Sequence, residues 1–183
     1  SIESDGKGTL LTTSECLLSP NRNGAWNKDQ IEQYLKENLG ISRILWLDHG
    51  FLEGDDTDSH IDTLARFCPN DTIAYIQCND PKDHHYKALK DMESQLQSFR
   101  TQDNRPFRLL PLPMADEIVF DNERLPATYA NFLIINGAVL YPTYNQPIND
   151  SRTAEILTTA FPERQIIGID CRALIKQHGS LHC

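Results

Sequence analysis

Residues 54–62, Gly-Asp-Asp-Thr-Asp-Ser-His-Ile-Asp, form the densest polar cluster of the chain and open directly into Thr63-Leu64-Ala65-Arg66-Phe67. If a strand begins at His60, side chains two apart share a face, so His60 and Asp62 point together while Ile61, Thr63, Ala65 and Phe67 pack behind. On a helix they would diverge. A histidine and a carboxylate converging at the mouth of a strand is the arrangement that a general acid–base with an electrostatic partner requires. The competing structural reading is a carboxylate-rich Asx turn at the surface, with His60 satisfied by a neighbour. Metal binding competes as well, because Asp56, Asp58, His60 and Asp62 alternate in ligand type. An extended chain rises about 3.3 Å per residue, which puts Asp56 and Asp62 roughly 20 Å apart, against ligand bonds of about 2.0–2.6 Å. Only a bent segment could gather them, and the Gly and terminal Glu of a calcium loop are missing at their offsets.

The second candidate is Cys183, which follows Gly179-Ser180-Leu181-His182. A Gly-containing turn that delivers a thiol to the start of a strand suits an exposed nucleophile. Cys16, Cys68, Cys78 and Cys171 lie in or beside apolar stretches, where cysteine behaves as a small buried hydrophobe. The five cysteines show no zinc-finger or redox spacing, so free thiols are expected. His84 and His85 open a helical segment and are expected to face solvent, while His49, His178 and His182 show no partner pattern.

The elements that would position these residues follow from apolar spacing. One helix is predicted after Asn27 as N-cap, with Gln30 three residues on, Ile31, Tyr34, Leu35 and Leu39 on one face, and Gly40 as the stop. A second is predicted from Asp80-Pro81, carrying Tyr86, Leu89, Met92, Leu96 and Phe99. A third is predicted from Asn149-Asp150-Ser151 and ends at Pro162. Each is followed by a short apolar strand, at residues 43–47, 107–112 and 165–170. Extended pairs precede the second (62–67, 72–78) and the third (132–135, 138–141), the last pair joined by Asn136-Gly137, a dipeptide suited to a tight hairpin. A β-β-α-β unit therefore recurs with a period of roughly 60 residues. An ordinary α/β sandwich whose repeat is coincidental fits the spacing equally well.

The 183 residues suit one domain with a real core. A formal charge of −9 argues against a nucleic-acid surface, which needs clustered Lys and Arg, and fits a cationic small molecule, although solubility alone would also account for it. No run approaches the roughly 18 apolar residues of a membrane span, and the N-terminus lacks a signal-peptide pattern, so no membrane partner and a cytoplasmic location are expected. Both ends read as cuts through a larger protein: the chain runs at once into apolar residues 9–13 and stops where a strand would begin.

Four blocks carry a resemblance: GTLLTTSECLLSPNRN (8–23), GDDTDSHIDTLARF (54–67), YANFLIINGAVLYP (129–142) and IGIDCRALIKQHGSLHC (167–183). Their wording and order resemble the agmatine deiminase and Porphyromonas-type peptidylarginine deiminase family. The resemblance implies a pentein-type β/α propeller, in which five β-β-α-β modules surround a central site. About three are expected here, making residues 1–183 a partial single domain without the N-terminal modules and the segment after the cysteine. It implies His60 and Asp62 as the catalytic pair, Cys183 as the nucleophile, and Asp56 as recognition group for the amine end of agmatine. Ser59 and His178 stand where the family often has Gly. A further guanidinium-binding carboxylate of the family lies outside this chain.

The implied reaction is hydrolysis of a guanidinium group, agmatine going to N-carbamoylputrescine and ammonia through a covalent thiouronium. Asp62 would hold the guanidinium fork-to-fork, Cys183 would attack as thiolate, and His60 would protonate ammonia and then activate water. No metal or organic cofactor is required. Arginine or peptidylarginine is the nearest alternative substrate, and a non-catalytic pentein that binds guanidines or proteins is the alternative of another class. The 183 residues alone are expected to be inactive, with exposed module faces that favour pairing with another copy, a homo-oligomer.

Overall fold

A computed structural model describes all 183 residues. In the first module, β1 (Glu3–Ser4) and β2 (Thr9–Thr13) pair antiparallel; α1 (Ser14–Leu17), α2 (Pro20–Asn23) and α3 (Lys28–Leu39) then lead to β3 (Arg43–Leu47), parallel to β2. In the second, a single helical turn α4 (Ile61–Leu64) precedes β4 (Ala65–Cys68), antiparallel to β5 (Thr72–Gln77), and α5 (Tyr86–Ser98) returns the chain to β6 (Arg108–Pro113), parallel to β5. A two-stranded ribbon of β7 (Val119–Phe120) and β8 (Glu123–Arg124) intervenes. The third module is β9 (Leu133–Ile135), β10 (Ala138–Thr143), α6 (Pro147–Ala160) and β11 (Gln165–Asp170), with the same pairing senses. Three separate three-stranded sheets of one topology thus give the recurring β-β-α-β unit, and the fold is of the pentein type, partial in its modules. No helix is long and apolar enough to cross a membrane.

Local chemistry explains where prediction and structure agree. The α3 capping box forms as expected: Asn27 accepts from the Gln30 amide at 3.0 Å, Gln30 accepts from the Asn27 amide at 2.9 Å, and Gly40 stops the helix at φ +64°. It also explains the differences. Helix α5 begins at Tyr86 rather than at Asp80-Pro81, because Asp80 and Asp83 accept from the amides of Lys82 (2.9 Å) and His85 (2.8 Å) and hold the chain in turns. Helix α6 begins at Pro147, three residues after the ring of Tyr144, because Asp150 reaches back to the amides of Tyr144 and Gln146. His85 does not face solvent: it is 1 % exposed, accepting the Glu53 amide on Nε2 at 2.8 Å and facing Asp83 with Nδ1.

One continuous core runs beneath the sheets. Helix α5 contributes Leu89, Met92 and Leu96, and the second sheet Ile73, Tyr75 and Ile76. The segment before β9 adds Tyr129 and Phe132, both fully buried. Full burial of one such aliphatic side chain is worth about 1.5–3 kcal/mol, so the loops at the sheet ends rest on a firm base.

Candidate active site

The loop from Gly54 to His60 is shaped by its own carboxylates. Asp55 accepts from the Thr57 amide (3.1 Å), the Thr57 hydroxyl (2.5 Å) and the Ser59 amide (2.9 Å), an Asx-turn arrangement. Asp58 and Ser59 follow in the left-handed region, at φ +62° and +54°. The Ser59 hydroxyl donates to Glu15 at 2.9 Å, and its carbonyl accepts from the Thr13 hydroxyl at 2.8 Å. These bonds hold a conformation that costs a non-Gly residue about 1–2 kcal/mol.

His60 then caps α4, and here the expected strand is absent. Both the amide and the hydroxyl of Thr63 bond to the His60 carbonyl, at 3.1 and 2.7 Å, and close a helical turn before β4 starts at Ala65. Strand parity therefore does not bring His60 and Asp62 together. The tight turn does so instead, leaving His60 Nδ1 3.8 Å from Asp62 Oδ1.

The C-terminal segment meets this turn. After a 3-10 turn (Leu174–Gln177), His178 takes φ +62° and its Nδ1 lies 2.7 Å from the Gly54 carbonyl, tying this segment to the acidic loop. No strand starts at Ser180. Its hydroxyl sits 2.9 Å from that of Tyr144, which donates to the Thr128 carbonyl, while the Thr128 hydroxyl donates to the Thr63 carbonyl. The chain then delivers the Cys183 sulfur to 3.2 Å from Asp62 Oδ2, across 121 residues of sequence.

Two residues without an assigned role in the sequence reading complete the cluster. Asn131, 0 % exposed, donates from Nδ2 to Asp62 Oδ2 (2.9 Å), to the Asp62 carbonyl (3.1 Å) and toward Cys183 Sγ (3.1 Å). Its Oδ1 accepts from the amides of His182 (2.7 Å) and Cys183 (3.1 Å). His182 sets Nδ1 2.9 Å from Asp62 Oδ2. A signal for Asn131 was present: an amide between Ala130 and Phe132 in an apolar run must find partners once buried.

The electrostatics follow from these contacts. Burial opposes a charge on Asp62, but hydrogen bonding from His182, Cys183 and Ser1 outweighs it and holds the carboxyl well below its ordinary range. Burial and then the Asp62 charge push the Cys183 thiol up to about 11, so the sulfur is protonated at neutral pH and donates to Asp62. Cys183 is exposed as a residue; its sulfur faces Asp62 and Asn131. Burial and, after it, the positive charge of the N-terminal amine at Ser1 lower the His60 pKa, only partly opposed by Asp62. Five buried side-chain atoms have no hydrogen-bond partner, and two of them, His60 Nε2 and Asp62 Oδ1, lie in this cluster; the others belong to Arg43, Arg66 and Thr153. The two in the cluster belong to the side chains singled out for chemistry.

Asp56 is placed apart. It is exposed and lines an open cleft of about 680 Å³ with Glu15, Asp48, Asp55, Asp58 and Asp91, whereas His60, Asp62 and Cys183 do not line that cleft. The acidic cleft and the thiol cluster are neighbours through Ser59, and the structure does not merge them.

A buried carboxylate facing a thiol, with a histidine of lowered pKa beside it, on the loops of repeated β-β-α-β modules, describes a pentein-type thiol site. The whole chain, residues 1–183, matches the Porphyromonas-type peptidyl-arginine deiminase family. It therefore belongs to that family. A Vibrio parahaemolyticus protein provisionally named an agmatine deiminase is 37% identical over 199 residues, covering 100% of this chain and 55% of its own length. Among solved structures, a Porphyromonas gingivalis protein provisionally named an arginine deiminase is 56% identical with a TM-score of 0.97, over 100% of this chain and 53% of its own. A Cys-to-Ser variant of the C. jejuni agmatine deiminase with substrate bound is 46% identical with a TM-score of 0.93, again over 100% and 53%. The chain thus spans about half the length of the relatives it matches.

Proposed function

We propose that the protein containing this chain hydrolyses a guanidinium group, with agmatine as substrate and N-carbamoylputrescine and ammonia as products. The observation that carries the reading is the pair of unpartnered buried atoms, Asp62 Oδ1 and His60 Nε2, beside a thiol that donates to the same carboxylate. A guanidinium offers planar N–H pairs and one positive charge. Asp62 Oδ1 is an acceptor for such a donor, and the cation would replace the thiol proton as the charge that Asp62 faces.

With the guanidinium bound, the Cys183 proton passes to His60, which becomes the imidazolium, and the thiolate so formed attacks the guanidinium carbon and makes the C–S bond. The C–N bond to the departing nitrogen then breaks, and His60 gives that nitrogen its proton, so ammonia leaves and a thiouronium remains. His60, now neutral, takes a proton from water as the oxygen attacks the same carbon; the C–S bond breaks and the ureido product is released. The burial that lowers the His60 pKa suits the second half, where a neutral base is needed. Asp62 is the guanidinium partner, and further carboxylates come from the part of the protein outside residues 1–183. We place Asp56 at the amine end of the substrate on the strength of its acidic cleft, which suits a dication.

A second reading, arginine or a peptidyl arginine as substrate, is favoured by the family's own description and by the name of the 56%-identical P. gingivalis protein. The test is ammonia release by the full-length protein from agmatine, free arginine and an arginyl peptide, with Cys183→Ala as control. Agmatine is expected to be turned over and the control to be silent. Turnover of the arginyl substrates alone would overturn the agmatine reading, and turnover surviving Cys183→Ala would remove the nucleophile.

A further inference from the structure

A chain of polar groups, buried at Glu3 and Arg66 and reaching the surface at His182, runs from the first sheet to the nucleophile. Arg66 on β4, 4 % exposed, forms an ion pair with Glu3 of β1, Nε lying 2.8 Å from Oε2. It donates from Nη1 to the Phe132 carbonyl at 2.5 Å and stacks its guanidinium over the Phe132 ring at 4.9 Å. The remaining nitrogen, Nη2, faces His182 Nε2 at 3.5 Å, the long end of a hydrogen bond. On the other side of that imidazole, Nδ1 faces Asp62 Oδ2 at 2.9 Å.

This order favours one tautomer of His182. A guanidinium is donor-only and always charged, so Nε2 opposite Arg66 is an acceptor and the ring proton sits on Nδ1, where it is donated to Asp62. Both ring nitrogens are then engaged, and neither with the sulfur of the next residue. His182 is adjacent to the nucleophile in sequence yet is arranged unlike the base of a thiol–imidazole pair, which must aim a free nitrogen at sulfur.

We infer that His182 is a positioning residue for the deimination proposed above: held by Arg66 in the Nδ1–H tautomer, it commits Asp62 Oδ2 to protein donors and thereby presents Oδ1 to the guanidinium. The two oxygens of this one carboxylate differ in their surroundings. Oδ2 faces three donors, His182 Nδ1, Asn131 Nδ2 and Cys183 Sγ, at 2.9, 2.9 and 3.2 Å. Oδ1 accepts no hydrogen bond while buried. Without His182, rotation of the carboxylate about its last bond exchanges the two oxygens, and the acceptor for substrate loses its fixed direction. The inference rests on the deiminase reading for the role, whereas the tautomer stands independently of turnover.

The experiment has two arms on the full-length protein. Nitrogen-15 spectra of histidine-labelled wild-type protein, with the His182 signals assigned by their loss in His182→Asn, should show a protonated Nδ1 and an unprotonated Nε2. An Nε2–H tautomer or an imidazolium at neutral pH overturns the inference, whatever the turnover. In the kinetic arm, His182→Ala is expected to raise KM by about 10- to 100-fold, the loss of one hydrogen bond to a charged group. His182→Asn, whose amide nitrogen stands near the position of Nδ1, should restore KM to within about threefold of wild type. The pH profile of Cys183 alkylation without substrate should move by less than about half a unit in either variant. An alkylation profile displaced by a unit or more with KM unchanged would make His182 a partner of the thiol instead, and an Asn variant no better than Ala would show that the donor to Asp62 is not what matters. Absence of any guanidine turnover by wild type removes the deiminase reading and leaves the tautomer result standing, so the two failures are distinguishable.

Discussion

Replacing Asp62 by Asn keeps the shape of the side chain and removes its charge, with two consequences of opposite sign. The thiol of Cys183 stands at about 11 because burial disfavours the thiolate and because the Asp62 carboxylate lies 3.2 Å from the sulfur. At that separation two unit charges repel by about 5 kcal/mol at an effective dielectric of 20 and by about 1.3 kcal/mol in bulk water. Cys183 is exposed as a residue, so screening brings the interaction toward the aqueous limit. That gives roughly 1.3–2.6 kcal/mol, or about one to two units of thiol pKa. In Asp62→Asn the thiolate fraction at pH 8 rises accordingly by about 10- to 100-fold. A less basic thiolate is also a weaker nucleophile, with a Brønsted slope of about 0.4–0.5, so alkylation by iodoacetamide should accelerate only about three- to sixteenfold. Guanidine turnover moves the other way, falling by about 100-fold or more with the loss of a charge-assisted partner for the substrate. A variant more reactive toward iodoacetamide and less active on agmatine is the signature. Alkylation that is unchanged or slower would refute Asp62 as a source of the raised thiol pKa, and retained turnover would refute it as the guanidinium's partner.

Asn131→Ala removes one of the donors to the Asp62 carboxylate and leaves the amides of His182 and Cys183 without partners; urea unfolding should show a loss of about 2–4 kcal/mol, with turnover down by more than about tenfold. His178→Gly relieves a left-handed non-Gly residue while losing the bond to the Gly54 carbonyl, so its stability should stay within about 1 kcal/mol of wild type, and His178→Ala, which loses the bond and keeps the strain, should be about 1 kcal/mol less stable than the Gly variant. The folded Asp62 carboxyl is held below its ordinary value, so its stabilising contribution is present above about pH 4, the unfolded value, and is lost as pH falls through the folded one; acid titrations of stability should be flatter in Asp62→Asn. Ammonia release by residues 1–183 alone, compared with the full-length protein, should be absent, because one carboxylate leaves half of the guanidinium's donors unpartnered.

How legible this was in the sequence depends on the range of the interaction that decides each feature. The α3 capping box and the Gly40 stop involve neighbours within a few residues, and the pattern predicts them at their observed places. The β-β-α-β repeat is legible for the same reason, since each unit announces its strands and helix locally. The starts of α5 and α6 were misplaced because Asp83 and Asp150 spend their carboxylates on turn amides, a choice that helix propensity does not encode. His60 and Asp62 were singled out, but through a strand that is a helical turn. The Thr63 bonds to the His60 carbonyl make that turn, and apolar periodicity is blind to them. Ser59 and His178 were visible only as departures from a family's glycines, and both occupy left-handed positions where glycine would cost nothing. Asn131 and His182 act across 69 and 120 residues of chain on Asp62, and no local pattern reaches that far.

The protonated thiol gives the proposed reaction its direction. In the free protein Cys183 donates to Asp62 and, at about 11, is a poor nucleophile at neutral pH. A guanidinium held by Asp62 Oδ1 beside the sulfur brings a positive charge to about 4 Å, worth several kcal/mol even at an effective dielectric of 20, and so favours the thiolate only while it is bound. A neutral ureido product carries no such charge. Once the C–S bond has broken, the sulfur therefore recovers its proton, the S–H bond to Asp62 reforms, and the product is left without the interaction that held the substrate. On the proposed mechanism the same logic excludes neutral amides and ureas from activating the nucleophile, so selectivity for a cationic guanidine would arise from the resting state of Cys183 as well as from the shape of the site.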